Sequence, residues 1–532
     1  MVGRVLIVDA LSAGSGRRTS SRDSIGCGPR TVGGVLERHE VPCRIARAEE
    51  IAATPKKMRS YEHLAITAMT MDLPVTQSIV QKWRRTNPVG RVVIGGPLAS
   101  DSTKVLRGLK PDVLVVGEGE GTLNDLLELG FFEDETDCSN VQGIGYFQGK
   151  KPIINPLRPP LSPSEISEIF VPSTTRIVDY ATYQASKVYV EVLRGCSNFK
   201  RTTIPLPDGR ECTECDNCES DDPEERQECP ENIPAGCGFC SVPSTWGPPR
   251  SRSPESIERE VRELLDLGVH RIVLEAPDFL DYYRGTNTLT NPCEPPANID
   301  AISDLIRRLA ALETVEEGDV HISVENVKAC LFTEEVASVL STSMRGISPN
   351  IGVETGSDEH MRRIGKCGST EDVLTAVRTA VAYGMSPFVY LIYGLPGETP
   401  ETIQDSIHFM HSAAKAGAQR IILYGFRALP GSAFSDLPEP EYGDPAGVRL
   451  RREAASINRA RKRDYVAKRV RGIAAEPSWE QHGYTMFYPL EEGPLITVKG
   501  GFSAGTVRDI VIRRVLSSGL VEGDVVSDTM QD

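Results

Sequence analysis

Residues Val188–Ser197, VYVEVLRGCS, and residues Pro234–Gly247, PAGCGFCSVPSTWG, frame the segment around which the rest of the chain is organised. Val188, Val190 and Val192 alternate with polar residues, the period of a half-buried strand. The strand breaks at Arg194-Gly195 and presents Cys196; Cys237 and Cys240 follow as C-G-F-C in a loop softened by Gly236 and Gly238. Two thiolates three residues apart can reach one metal centre, and a neighbouring loop end can deliver a third. Soft sulfur ligands suit zinc or iron–sulfur clusters.

Thirteen cysteines lie in the 532 residues, seven of them between positions 196 and 240, a density that argues for metal rather than disulfides. The other six (Cys27, Cys43, Cys138, Cys293, Cys330, Cys367) are scattered and read mostly as small buried hydrophobes. The length predicts several domains, and the composition is that of an ordinary globular protein. No apolar run approaches membrane-spanning length, and MVGRVLIVDAL turns polar too soon for a signal peptide, so the expectation is a cytoplasmic protein with no membrane partner. Net charge is −15, but residues 208–231 alone hold eleven acidic side chains against Arg210 and Arg226. The rest of the chain carries only −6, so overall acidity does not exclude a nucleic-acid partner.

The Cys196/Cys237/Cys240 loop resembles that of the radical S-adenosylmethionine (SAM) superfamily, with Phe239 as the aromatic before the last cysteine. The resemblance implies a 4Fe-4S cluster on three cysteines. One iron is left open to SAM, which an electron from a donor such as ferredoxin or flavodoxin cleaves to a 5′-deoxyadenosyl radical. The long gap after Cys196 departs from the family pattern and reads as an insertion. A four-cysteine zinc site is the other reading of these thiols.

Residues 1–150 read as a parallel α/β unit, a doubly wound, Rossmann/flavodoxin-like sheet with ligands expected beyond the carboxyl ends of its strands. Gly95-Gly96-Pro97 and the Gly117, Gly119 turn fall at such ends; tight turns alone would also explain them. IGGPLAS and VGEGEGT are similar to the cobalamin-binding-type domain preceding many radical SAM cores, although the motif Asp-x-His-x-x-Gly is absent. The resemblance implies either bound cobalamin at Gly95, Gly96, Pro97, Gly117 and Gly119, or a retained scaffold. Residues 151–180 are proline-rich and read as a linker.

Residues 181–440 are expected to form the radical SAM core, a partial (β/α)6 TIM-type barrel with a cysteine-rich insert at 200–235. The insert carries Cys212-x-x-Cys215-x-x-Cys218 and then Cys229-Pro230. It resembles a ferredoxin cluster site, and a zinc knot would order the loop equally well. Strand ends hold residues matching SAM-contacting positions of the family: Glu275 to Asp278 for the amino group, Glu325 and Asn326 for the carboxylate or ribose, Glu354 for the ribose. Gly394, Gly397 and Glu398 match the turn at the adenine edge. An isolated carboxylate among these would read as a helix cap or surface pair.

Residues 441–471 read as a basic helical linker, with ten basic residues between Arg449 and Arg471 against Glu453 and Asp464. Arg459, Lys462, Arg463 and Arg469 recur at spacings that place several on one face, a footprint for phosphate or else a solvated helix. Residues 472–526 read as a small, OB-like β-barrel and resemble a TRAM domain, the RNA-binding barrel of tRNA methylthiotransferases. Arg508, Arg513 and Arg514 would sit beside Tyr484, Phe487, Tyr488 and Phe502, aromatics that stack on bases or form barrel core. Together the resemblances imply a radical SAM enzyme that modifies, and on this reading methylates, an unactivated carbon of RNA, with tRNA the expected substrate. A radical SAM modifier of a protein or lipid-like substrate, and a metal-stabilised RNA-binding protein without catalysis, are the rival readings. The methylthiotransferase version has less support, because Cys27, Cys43 and Cys138 do not reproduce the second three-cysteine site of those enzymes.

Overall fold

The computed structural model describes residues 3–18, 21–133 and 136–526. The chain divides into two compact units: one of residues up to 183 with 188–190 and 255–267, the other of 184–187, 191–254 and 268 onward.

In the first unit, five apolar runs become parallel strands in the spatial order Cys43–Arg47, Val5–Asp9, His63–Thr67, Val92–Gly95, Val113–Val115. Numbered along the chain, that order is 2-1-3-4-5, the flavodoxin-like winding. Helices Cys27–Arg38 and Gly119–Glu128 pack together, whereas Ala48–Ala53, Leu73–Thr86 and Ser102–Leu109 cover the face carrying Leu6, Val8, Leu64 and Ile94. Trp83 is fully buried in that core. The expected linker begins differently. Lys151–Ile154 is a strand that pairs antiparallel with Ile144–Gln148 and extends the sheet to seven strands, because Gly149 at φ +63° closes a tight hairpin. No helix is long and apolar enough to cross a membrane among the described residues.

In the second unit, strand Arg271–Glu275 pairs parallel with His321–Val324, and Asn350–Glu354, Phe388–Tyr393 and Arg420–Gly425 form a further parallel set. A Val327–Ile351 bridge joins the two groups, and Val192 N–H donates to Glu275 O at 2.9 Å. Helices Ile299–Ala310, Glu334–Ser343, Thr370–Ala382 and Pro400–Ala416 alternate with these strands. Sequence supplies their ends: Ser369 and Thr399 cap the last two through reciprocal side-chain bonds, and Pro400 opens the final one. This is the partial α/β barrel expected from the rhythm of the sequence.

Strands Arg469–Pro477, Tyr484–Pro489, Leu495–Lys499, Leu520–Val525 and Val507–Val515 close into a five-stranded barrel. Its interior is Ala474, Phe487, Ile496, Val498, Ile510, Ile512 and Val521. Phe487 and Tyr488 are fully buried, so these two aromatics serve as core; Phe502 packs edge-on against Phe487.

Candidate active site

The strand Lys187–Glu191 ends in a loop whose backbone turns at Gly195, φ +91°, where a Cβ would stand 2.3 Å from Pro248 O. Only glycine fits that approach. Cys196 N–H then donates to Gly247 O at 3.1 Å, tying the first cysteine to the far end of the C-G-F-C segment. Asn198 completes the closure. Its backbone N–H points at Cys196 Sγ (3.5 Å), and its side-chain amide donates to Cys237 Sγ (3.2 Å) and to Gly365 O (3.0 Å). One asparagine thus addresses two thiols 41 positions apart in sequence. Cys240 N–H donates to Cys237 O at 2.8 Å, and Val242 N–H approaches Cys240 Sγ at 3.5 Å. Gly238 is clamped on both sides, donating to Ile364 O and accepting from Phe434 N–H, while Phe239 packs with Ile204, Ile364 and Phe434.

Burial raises all three thiols, Cys196 up to about 12, against the opposing pull of Lys328 on Cys196 and of Lys366 on Cys237 and Cys240. Buried cations facing sulfur, and N–H donors aimed at it, are what an anionic thiolate-bound centre requires around it.

Behind Cys196 stands a charged network that the sequence reading missed. Asp281 accepts from Ser197 N–H (3.2 Å) and Ser197 Oγ (3.0 Å), and pairs with Arg284 and Lys328, both at 2.8 Å. Lys328 Nζ also donates to Ser197 Oγ at 2.7 Å. Asp281 ends the single 3-10 turn Phe279–Asp281 and Arg284 follows it, a segment too short for a sequence period to mark a residue as buried.

The strand-end residues divide into two groups. Glu354 sits in the left-handed region at φ +67°, at a register shift against Phe388–Tyr393, with its carboxylate 2.9 Å from Lys366 Nζ. A bulge re-aims a side chain, and backbone strain of this kind concentrates at functional sites. Glu398 accepts from Gly394 N–H at 3.1 Å, and burial raises its carboxyl to about 7. Gly397 lies beside His360, which bonds Pro396 O at 2.8 Å and so ties this turn to the one after Glu354. Burial raises the Tyr390 and Tyr424 phenols, with nearby Glu325 adding to the rise, and Glu275 closes its strand. The second group bonds to neighbouring loops. Asp278 is buried under Lys328, 2.9 Å from Nζ, and also accepts Lys328 N–H. Asn326 spends its side-chain amide on Ala276 O at 3.0 Å. These two hold strand ends together.

The insert cysteines line one loop system. Arg201 donates to Cys218 Sγ at 3.4 Å, Glu214 N–H points at Cys212 Sγ at 3.4 Å, and Cys212 and Cys229 pack on the cluster of Ile204, Ile233 and Phe434. Cys215 is exposed. Burial pushes the Cys218 thiol up against the pull of Arg201, and Cys212 and Cys215 add to the rise, so the three are electrostatic neighbours.

The basic residues are sorted by the fold. Helix Pro445–Arg463 docks on strand Arg420–Gly425 through Asn458, which bonds both Ile421 N–H and Ile421 O. Arg459 and Arg463 are exposed, but Lys462 is buried, its ammonium lowered to about 8 by desolvation and then by Arg420. Its place one position out of phase with the exposed face explains the difference from expectation. Arg469 opens the first barrel strand instead of continuing the helix, and pairs with Asp509. Arg513 pairs with Asp524 and Arg514 with Glu522, each at 2.8 Å, and Arg508 is exposed.

In the first unit, the loop after Val5–Asp9 is pinned by Asp72, which accepts from Gly14 N–H (2.7 Å) and Ser12 N–H (3.2 Å). The loop thus lies at the carboxyl edge, where the strand order reverses. Gly95, Gly96 and Pro97 follow the neighbouring strand, and Gly117 and Gly119 the next. A Cβ on Gly96 would meet Ala68 O at 2.8 Å, so the fold itself demands that glycine, whereas around Gly117 the nearest atom stands 3.8 Å away.

A barrel of this kind with a three-cysteine loop at its first strand defines an enzyme of SAM radical chemistry. The Radical SAM superfamily matches residues 229–410. The chain is 40% identical to an uncharacterised protein of Methanopyrus kandleri over 98% of this chain and 96% of that protein. It is 28% identical to the ribosomal protein uS12 methylthiotransferase RimO of Thermotoga maritima over 52% of this chain and 62% of that one. Its fold is similar to the radical SAM methyltransferase TsrM from Kitasatospora setae with cobalamin and a [4Fe-4S] cluster bound. The TM-score is 0.58 at 16% identity, covering 82% of this chain and 77% of that one. The chain belongs to the radical SAM superfamily, and it carries further domains beside the radical SAM core.

Proposed function

We propose that this protein methylates an unactivated carbon on RNA, with a 4Fe-4S cluster on Cys196, Cys237 and Cys240, and with cobalamin at the carboxyl edge of the first unit's sheet. The observation carrying the reading is the Asn198 bridge that brings Cys196 and Cys237 to one centre. When bound, the cluster supplies the electron that cleaves SAM to methionine and the 5′-deoxyadenosyl radical, and cobalamin supplies a methyl group. The chain's own residues do the rest. Lys328 and Lys366 balance thiolate charge from within the protein, and Asn198 orients two ligands. Glu354 and the Gly394–Glu398 turn offer carboxylate and backbone groups to the ribose and adenine of SAM. Pre-set donors of this kind cost no reorganisation at the moment of reaction.

The substrate class rests on the exposed Arg459, Arg463 and Arg508 and on the closed C-terminal barrel. Incubating reconstituted protein with methyl-labelled SAM, reductant, cobalamin and total RNA, followed by nucleoside analysis, tests this. Label in one nucleoside supports it, and label in none overturns it.

A protein substrate is the second reading, favoured by the similarity to RimO, whose name specifies a ribosomal protein. Attachment of a methylthio group is less well supported. Cys27 Sγ donates to Tyr189 O, and Cys43 lies among Glu37, Arg176 and Asp179; the two thiols have separate surroundings. The insert cysteines fit an electron-relay cluster or a structural zinc ion.

A further inference from the structure

Three successive loops at the carboxyl ends of the barrel strands each deliver one cysteine to one place. Cys293 comes from the loop after strand Arg271–Glu275, Cys330 from the turn Ala329–Leu331 after His321–Val324, and Cys367 from the loop after Asn350–Glu354. Their sulfurs all lie within 4.8 Å of one another, the tightest such grouping among the described residues. Two of them, Cys293 and Cys330, are joined as a disulfide; eleven other cysteines of the chain are free. The sequence reading treated these three as isolated hydrophobes, because residues 293, 330 and 367 share no motif spacing.

The supports of the trio are rigid. Arg284, itself paired with Asp281, donates to Asn291 O (2.8 Å), Pro292 O (3.3 Å) and Pro295 O (2.6 Å), bracketing Cys293. Asn291 Oδ1 accepts Cys293 N–H at 3.1 Å. Lys328, two positions before Cys330, is anchored through its backbone and its ammonium by Asp278. Anchoring of each ligand loop by buried polar groups is the outer support that metal sites need. Lys328 and Lys366 both sense the Cys367 thiol, so positive charge is already placed to balance a thiolate-rich centre.

We propose that Cys293, Cys330 and Cys367 in their reduced form bind one zinc ion, beside the cluster loop, whose Cys237 thiol senses Cys367. Three sulfurs delivered to one place suit one tetrahedral ion once the Cys293–Cys330 bond is opened. Three protein ligands leave the fourth position for an exogenous ligand at the face where barrel active sites lie. The Cys293–Cys330 bond opens by taking two electrons and two protons from a dithiol reductant, which becomes its own disulfide. The two thiols formed and Cys367 then release their protons as zinc binds.

Full-length protein, reduced with a dithiol and held anaerobic, is alkylated with iodoacetamide with and without added zinc, and modification is mapped by mass spectrometry. Protection of all three cysteines by zinc is expected; equal alkylation with and without zinc overturns the proposal. Metal analysis of Cys367→Ser and Cys330→Ser beside the wild type gives a second readout. Each variant is expected to lose about one zinc per chain while iron is unchanged. Loss of about four irons instead, or no change in zinc, overturns it. The Cys367→Ser variant keeps the Cys293–Cys330 pair, so the result does not depend on losing that link.

Discussion

Lys328 Nζ stands 2.8 Å from the Asp281 carboxylate, both side chains are almost wholly shielded from solvent, and the pair braces Ser197, the residue after Cys196. Removing one partner of a buried ion pair leaves the other charge uncompensated, at a cost of about 3–5 kcal/mol. Asp281→Asn strands Arg284 and leaves Lys328 with Asp278 as its one carboxylate partner. We expect it to lower stability by about that amount in urea denaturation of the second unit's transition, and to reduce iron retained after reconstitution. A stability within about 0.5 kcal/mol of wild type would show that the network is not the brace described.

Glu354 is held at φ +67° and aimed by its register shift, with Lys366 as partner. Glu354→Gln keeps the shape and removes the charge. A charge-assisted bond is worth about 1.5–3 kcal/mol, so SAM affinity should fall by about tenfold or more while iron content stays near wild type. Equilibrium binding of SAM to the reconstituted variant checks this, and unchanged affinity would remove Glu354 from the SAM site.

His321 is buried beneath the barrel strands, and burial lowers its imidazolium to about 4 despite the nearby Glu492. An unfolded chain binds this proton near pH 6.5, so between those values the unfolded state holds more protons than the folded one. Stability is then lost as pH falls from about 6.5 towards 4, by about 2 kcal/mol at pH 5 from this group alone. Urea midpoints at pH 7 and pH 5 for wild type and His321→Gln measure it. The variant should lose less on acidification, and parallel losses would contradict the assignment.

Arg459 and Arg463 lie exposed on one helix, whereas Lys462 between them in sequence is buried. Each phosphate contact adds about one to the slope of log K against log salt. Arg459→Ala with Arg463→Ala should reduce that slope for RNA binding by about two, while Lys462→Met should leave it unchanged. Filter binding across a salt series distinguishes them. Equal effects of both substitutions would show that charge on this helix acts through stability and not through contact.

The elements that were legible in the sequence are those with a period. The alternation of Val188 and Val190 and the apolar runs of the first unit became the expected strands. The cysteine loop was legible because C-G-F-C concentrates ligands locally. What sequence could not show is long-range and aperiodic. Asn198 reaches Cys237 across the insert, Asp281 and Lys328 meet from different loops, and Cys293, Cys330 and Cys367 converge from three. The contacts of Asp278 with Lys328 and of Asn326 with Ala276 O likewise join different loops and carry no sequence signal. Arg469 was placed on a helix because basic residues favour helix, but pairing with Val511 draws it into the barrel.

The central claim is that Cys196, Cys237 and Cys240 hold the cluster that cleaves SAM. The most direct test is 5′-deoxyadenosine formation by anaerobically reconstituted protein given SAM and dithionite, beside Cys240→Ala, with iron measured on the same samples. The account predicts 5′-deoxyadenosine from the wild type, none from the variant, and about four irons fewer in the variant. 5′-Deoxyadenosine from the variant at the wild-type rate, or a wild type that holds iron and leaves SAM intact, would contradict it.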